Sequence, residues 1–254
     1  MEGIKNARGE IVCFLEDDDL FSSDKLSTLT RIFGNRPELS FVHNGWKIMG
    51  ESAINGLKSP RTIKKELSLQ AFEASYSIYK IARFKVYWNV SSMSVRRRNL
   101  SNFLEAISQI NITVDFALFL FSLFSNGEVM LLPDILTFYR MHQLSLTSGS
   151  GRSPEVQSSI AERAIHDNGI IKKGLPYWCS ENLKERIDGD LLYWRIKLLG
   201  NSHSCRKEMA KLLLTFFKQW GFRAFLEFRL NVVELIGALI YILSPSLSSR
   251  LAFL

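Results

Sequence analysis

The feature that most constrains this 254-residue chain is Glu16-Asp17-Asp18-Asp19, four consecutive carboxylates that follow the apolar run Ile11-Val12-Cys13-Phe14-Leu15. A short β-rich run of this kind predicts a buried strand over Glu10 to Leu15, with chemistry carried at its C-terminal end. Four adjacent carboxylates repel one another and raise each other's pKa. A hard divalent cation relieves the repulsion. Mg²⁺ and Mn²⁺ take one or two carboxylates and complete their shell with substrate phosphate oxygens, which suits a strand end in a parallel sheet. The other reading is an acidic loop that caps the helix starting near Ser23 and draws on its dipole. Side-chain alternation at the strand end would send Glu16 and Asp18 to one side and Asp17 to the other.

The rest of the chain alternates strand and helix signals up to residue 147 and is helical beyond it. Ser22 or Ser23 caps a helix with Leu26, Leu29, Ile32 and Phe33 at helical spacing, and Gly34 to Pro37 ends it. Leu39 to His43 reads as a strand, residues 51–62 as loop, and Ile63 to Tyr76 as an amphipathic helix. Val90 to Val95 reads as a strand and Leu100 to Ile110 as a helix. Val114 to Phe124 is almost wholly apolar, too short to span a bilayer, and reads as a buried helix. Val129 to Leu132 and Ile135 to Tyr139 read as short strands flanking Pro133. Ser148-Gly149-Ser150-Gly151-Arg152-Ser153-Pro154 is the clearest linker, so the expected domains are 1–147, a linker at 148–154, and a helical region at 155–254. Its helices are predicted over Glu155 to His166, Glu181 to Leu199, Cys205 to Trp220 and Phe222 to Leu243.

Bulk properties exclude some classes. Hydrophobic residues at 46% and charged residues at 22% imply a globular chain with a core and argue against disorder. The formal net charge of +7 favours an anionic partner. No zinc finger, RNP-like motif or basic-aromatic interleaving points to nucleic acid. The knot Arg96-Arg97-Arg98 reads as solvated surface, or as a contact for a phosphorylated acceptor. Cys13, Cys179 and Cys205 are odd in number and widely spaced, as in a reduced intracellular protein without structural zinc. Polar residues open the chain and no secretion signal is visible, so the expected location is cytoplasmic.

In order, Asn6-Ala7-Arg8-Gly9-Glu10, the acidic strand end, Asp19-Leu20-Phe21 and Lys25-Leu26 resemble the core of the family 2 glycosyltransferases. Glu16-Asp17-Asp18 stands where many members have a DXD-type metal motif. Downstream, Asp115 in Thr113-Val114-Asp115-Phe116 occupies the place of the family's second acidic site, although Val114 replaces the usual acid. Leu132-Pro133-Asp134-Ile135-Leu136-Thr137-Phe138-Tyr139-Arg140-Met141-His142-Gln143-Leu144-Ser145 is similar to its Tyr-Arg-x-His segment. The resemblance covers roughly residues 3 to 147. It implies an α/β fold, a partial GT-A mixed sheet followed by an all-helical C-terminal region. It implies metal-dependent inverting transfer of a sugar from a nucleotide-sugar donor to the hydroxyl of a saccharide or lipid-linked acceptor.

The same resemblance assigns the residues. Asp18 is the expected ligand of Mn²⁺ or Mg²⁺. Glu16, longer than the family's Asp, touches either the metal or only the sugar. Glu16, Asp17, Arg140 and His142 are expected at the donor and its diphosphate, the last two because a cationic fork suits phosphate oxygens. Asp115 is the expected general base; read from spacing alone, it is an Asp satisfying N–H groups at a helix N-terminus. The family's opening strand and base-binding loop are not found; a truncated gene, a wrong start site or a separately encoded N-terminal half would each explain this, and a chain inactive or incomplete without that half is expected. A rival from another class is a non-catalytic remnant, or a partner subunit that binds a membrane surface or a complementary half. A metal-dependent phosphotransferase is disfavoured because no Gly-rich phosphate cradle is present.

The tail has its own signal. Leu230 to Leu243 is apolar but shorter than the roughly 18 residues of a spanning helix, and Glu234 interrupts it. Lys218, Trp220, Phe222, Arg223, Phe225, Phe228 and Arg229 precede it. Such interleaving suits a helix lying in the interface of the cytoplasmic membrane face, or a hairpin packed onto the catalytic domain.

Overall fold

A computed structural model describes residues 2–49, 63–140, 153–202 and 206–220. The chain splits into two compact units, one of residues 1–150 and 170–184, the other of residues 151–169 and 185–254. In chain order the elements are α1 (Glu2–Asn6), β1 (Ile11–Cys13), β2 (Leu20–Phe21), α2 (Lys25–Asn35), β3 (Leu39–Met49), β4 (Leu67–Leu69), α3 (Ala71–Tyr76) and α4 (Ile78–Ala82). After a 3₁₀ turn at Val90–Ser92 come β5 (Met93–Arg96), α5 (Arg97–Leu100), α6 (Leu104–Ser108), α7 (Val114–Phe124) and β6 (Glu128–Arg140). The chain continues through α8 (Pro154–Lys173), α9 (Glu181–Ser202) and α10 (Arg206–Trp220). A mixed α/β sheet followed by a helical C-terminal region is thus the architecture that the sequence predicts.

The sheet order is β1-β5-β3-β6-β2, and β4 also pairs with β6. β3 and β6 run parallel and form its long axis, while the other pairings are antiparallel. One face of the sheet carries Leu29 and Phe33 of α2 against Val42, Met130, Leu132 and Leu136. On the opposite face the Phe41 ring meets Phe119 of α7 edge-on at 5.4 Å. Nine consecutive residues of α7, Phe116 to Phe124, are buried, and all but Ser122 are apolar, so this helix forms a layer of the core.

Several local expectations change. The strand before the acids is only half-buried, lies at the edge of the sheet and pairs antiparallel with β5. The helix predicted from Ile63 begins at Ala71. Leu67-Ser68-Leu69 alternates and pairs with Leu131 to Val129 of β6, and a reciprocal Gln70–Glu73 capping box then starts α3. The helix predicted from Leu100 to Ile110 is broken into short turns. The two strands expected around Pro133 form one strand with an irregularity. Its register jumps between His43↔Leu131 and Gly45↔Ile135, which places Pro133, with no N–H to give, outside the ladder. The second unit buries Ala161, Ala164, Ile187, Ile196, Met209 and Leu213. Within it, Arg186 reaches both oxygens of Asp190 one turn on, at 3.1 and 2.9 Å.

Candidate active site

The acids do not continue the strand. Asp19 N–H donates to Glu16 O at 3.2 Å, closing a turn with Asp17 and Asp18 at its tip. The expected alternation of Glu16 and Asp18 therefore ends at Cys13, where pleated geometry ends. β2 follows at once and pairs Leu20 with Phe138 and Phe21 with Thr137 of β6. This register sets Arg140 beside the turn. Its backbone N–H donates to Asp19 Oδ1 and its Nε to the Asp18 carbonyl, both at 2.9 Å. Asp19 is buried, and its Oδ2 has no hydrogen-bond partner among the described residues. Burial raises its pKa, although the Ser91 hydroxyl and the Arg140 N–H favour the charged form.

Glu16 keeps an exposed surface but is crowded by its surroundings. Desolvation, then the charges of Asp19, Asp18, Asp115 and Asp17, push its carboxyl up to about 7. The presence of Asp115 among these causes is the informative point. This residue, remote in sequence, stands in the first turn of α7 close enough to act on Glu16. Its own carboxyl is pushed up to about 6 by burial, against hydrogen bonds from the N–H groups of Phe116 and Asn89. The Phe116 N–H lies 2.8 Å from Asp115 Oδ1. Two acidic groups that the sequence keeps apart thus share one electrostatic neighbourhood.

The link between them is the turn at Asn89–Ser92, to which sequence reasoning gave no site role. Asn89 holds a left-handed φ of 63°, uncommon for a side-chain-bearing residue though tolerated by Asn. Its N–H favours the charged form of Asp115, and its Oδ1 accepts from Ser91 N–H at 3.1 Å. Ser91 Oγ accepts the Glu16 N–H at 2.9 Å. The Ser91 carbonyl accepts from Lys25 Nζ and from the Thr137 hydroxyl. Lys25 is fully buried, donates also to Thr137 Oγ1 at 3.0 Å, and lies 3.9 Å from the centre of the Phe21 ring. Burial pushes its ammonium down to about 8. His43, also buried, lies 2.9 Å through Nε2 from the Trp88 carbonyl, and desolvation pushes it down to about 4. A carbonyl only accepts, so the neutral ring carries its proton on Nε2. A signal for Lys25 was present in the sequence: it shares the helical stripe of Leu29 and Phe33, an apolar face where a lysine is out of place.

Of the expected site residues, Glu16, Asp17, Asp18, Arg140 and Asp115 are gathered in this region, while His142 lies outside the described residues. Of the Arg96-Arg97-Arg98 knot, Arg97 and Arg98 are exposed as a solvated surface would be, but Arg96 is buried. Arg96 is 3% exposed, caps the end of α2 through the carbonyls of Phe33 and Arg36 at 2.9 and 3.0 Å, and pairs with Glu10. Arg97 and Arg98 donate to the carbonyls of Gly9 and Pro37.

No family model matches the chain, and no curated protein matches it. Among solved structures the chain is similar to TarS residues 1–349 of S. aureus in complex with UDP-GlcNAc, with a TM-score of 0.46 and 12% identity over 86% of this chain and 67% of that chain.

Proposed function

We propose that this chain is a family 2-like glycosyltransferase of GT-A type, which transfers a sugar from a nucleotide-sugar donor to an acceptor hydroxyl with inversion. The observation that carries the reading is the Asn89–Ser92 turn that stands between the acidic turn and the start of α7: Ser91 Oγ accepts the Glu16 N–H at 2.9 Å, and the Asn89 N–H favours the charged form of Asp115. Inverting transfer needs a base that faces the acceptor and a separate acidic group that faces the donor diphosphate. Asp115, pushed up to about 6, is matched to accept a proton near neutral pH. Its hydrogen bonds from the N–H groups of Phe116 and Asn89 orient the carboxylate without neutralising it.

A divalent ion, Mn²⁺ or Mg²⁺, fits the donor set. The buried Asp19 Oδ2 is left without a hydrogen-bond partner among the described residues, and the carboxylates around it repel one another. Asp18, with Asp19 beside it, would hold the ion. Among the described residues no three His, Cys, Asp or Glu side chains gather as a metal-holding group. Phosphate oxygens and water would therefore supply the remaining ligands. When bound, the ion supplies positive charge to the leaving diphosphate. Arg140, already hydrogen-bonded to the turn, adds a cation next to it, and His142 follows two residues later. Glu16 and Asp17 face the donor sugar.

The second reading, a partner subunit, is favoured by one observation: among the described residues β1 is an edge strand of the sheet and offers backbone groups for pairing. Release of nucleoside diphosphate from a panel of nucleotide sugars, by the chain alone and with a chain that supplies a nucleotide-binding half, separates the two. The enzyme reading expects metal-dependent release and an Asp115→Asn variant slower by about 10²–10⁴-fold with donor affinity nearly unchanged. No release from either preparation would leave the subunit reading.

A further inference from the structure

A buried lysine lies directly behind the candidate site. Removing an ammonium from water is costly unless its donors are satisfied and a counter-charge is near. Lys25 meets these demands with specific partners: the Ser91 carbonyl, Thr137 Oγ1, the Phe21 ring and the charge of Asp19. The partners are interlocked. Thr137 Oγ1 accepts from Lys25 and from Asn44 Nδ2, each at 3.0 Å, and donates to the Ser91 carbonyl at 3.0 Å. The Ser91 carbonyl is thus held by two donors from different elements, α2 and β6. The same residue turns its hydroxyl to the other side of the problem, where Oγ accepts the Glu16 N–H. Two residues earlier, Asn89 holds the strained backbone that offers its N–H to Asp115.

We propose that Lys25 is a positioning residue: by holding the Ser91 carbonyl it sets the Asn89–Ser92 turn, and through that turn the spacing between Glu16 and Asp115. The proposal rests on reading the acidic turn and Asp115 as one site. It assigns Lys25 no contact with substrate. A methionine of similar length would fill the same space and leave the Ser91 carbonyl with the Thr137 hydroxyl alone, so the turn would lose its α2 anchor while the core around Leu29 and Phe33 stayed packed.

The test is residue-resolved amide hydrogen exchange on the full chain, with Mn²⁺ affinity measured alongside. In Lys25→Met, the Glu16 and Asn89 amides are expected to exchange at least about tenfold faster, while amides in the middle of α7 keep wild-type protection. Lys25→Arg, which keeps buried cationic donors, is expected to restore slow exchange at both amides. Mn²⁺ affinity should fall with Lys25→Met and recover with Lys25→Arg. Ser91→Ala, which removes the hydroxyl but keeps the carbonyl held by Lys25, should speed exchange at Glu16 alone; this variant decides the case if Lys25→Met does not fold. Unchanged exchange at Glu16 and Asn89 in Lys25→Met would overturn the proposal, as would a loss of protection shared equally by α7. In Ser91→Ala, an unchanged Glu16 amide would do the same. These amides report geometry and not turnover. A chain that transfers no sugar would therefore remove the enzyme reading and leave the exchange result to judge Lys25 by itself.

Discussion

Asp115, half-buried, and His43, buried, are two titratable groups near the site, and they respond to pH in opposite senses. The Asp115 carboxyl is pushed up from 3.8 to about 6, so the folded chain holds this proton more tightly than the unfolded chain. The resulting stability is complete below the unfolded value and is lost as pH rises through the folded one. His43 is pushed down from 6.5 to about 4; its contribution is complete above 6.5 and is lost as pH falls through 4. In wild type these two groups therefore contribute opposed slopes, beside that of Glu16, whose carboxyl is pushed up to about 7. Asp115→Asn removes one of them. Relative to wild type, the variant should gain about 1–3 kcal/mol in unfolding free energy as pH rises from about 4 to about 7, at about 1.4 kcal/mol per pKa unit. Urea unfolding of both proteins across that range is the measurement, and a constant difference would mean that Asp115 ionises as it does in water.

At the level of elements, the long β3–β6 pair decides where the site stands. β6 is shared along its other edge: β4 pairs with Val129 to Leu131, and β2 with Thr137 and Phe138. The break at Pro133 separates the two zones. It also lets the second zone present Thr137 to Lys25 and the Arg140 N–H to Asp19. Gly45 makes the break possible, because a Cβ there would meet the carbonyl oxygens of Pro133 and Asp134 at 2.8 and 2.9 Å. Gly45→Ala is expected to cost about 1–3 kcal/mol, as overpacking against backbone does. Gly34 in α2 is the control, since a Cβ there meets nothing within 4 Å. Gly34→Ala should stabilise by about 0.5–1 kcal/mol. Equal effects in equilibrium denaturation would remove the packing role given to Gly45.

Among the described residues no helix is long and apolar enough to cross a membrane. The predicted interfacial stretch from Lys218 to Leu243 lies almost wholly outside them. The described part of α10 nevertheless exposes Lys207, Lys211 and Lys218, with Leu214 72% exposed among them. A basic face with an apolar centre is what an anionic lipid surface attracts. The full chain should sediment with anionic vesicles, less so as salt rises, and deletion of everything after Ser204 should release it. Recovery of both forms in the supernatant would assign the tail to packing against protein.

Periodicity and turn chemistry determined which segments become α2, α7 and the long helices after residue 153, because an apolar stripe at helical spacing has one way to be buried. The acidic run was legible as chemistry for a related reason, since four adjacent carboxylates after an apolar strand are costly, whereas Asp115 was legible only through the family resemblance, its spacing alone reading as a cap at a helix N-terminus. Nothing local could show that these acids act on one another, since the distance between Glu16 and Asp115 is set by sheet order and by the seat of α7 on β3. The helix predicted from Ile63 failed for the same reason. Leu67 to Leu69 pairs as β4 only because Val129 to Leu131 lies alongside. The helical stripe turns Lys25 inward, but only the tertiary structure decided what it meets there. Its donors find the Ser91 carbonyl and Thr137, two groups that come together only once β2, β5 and β6 have paired.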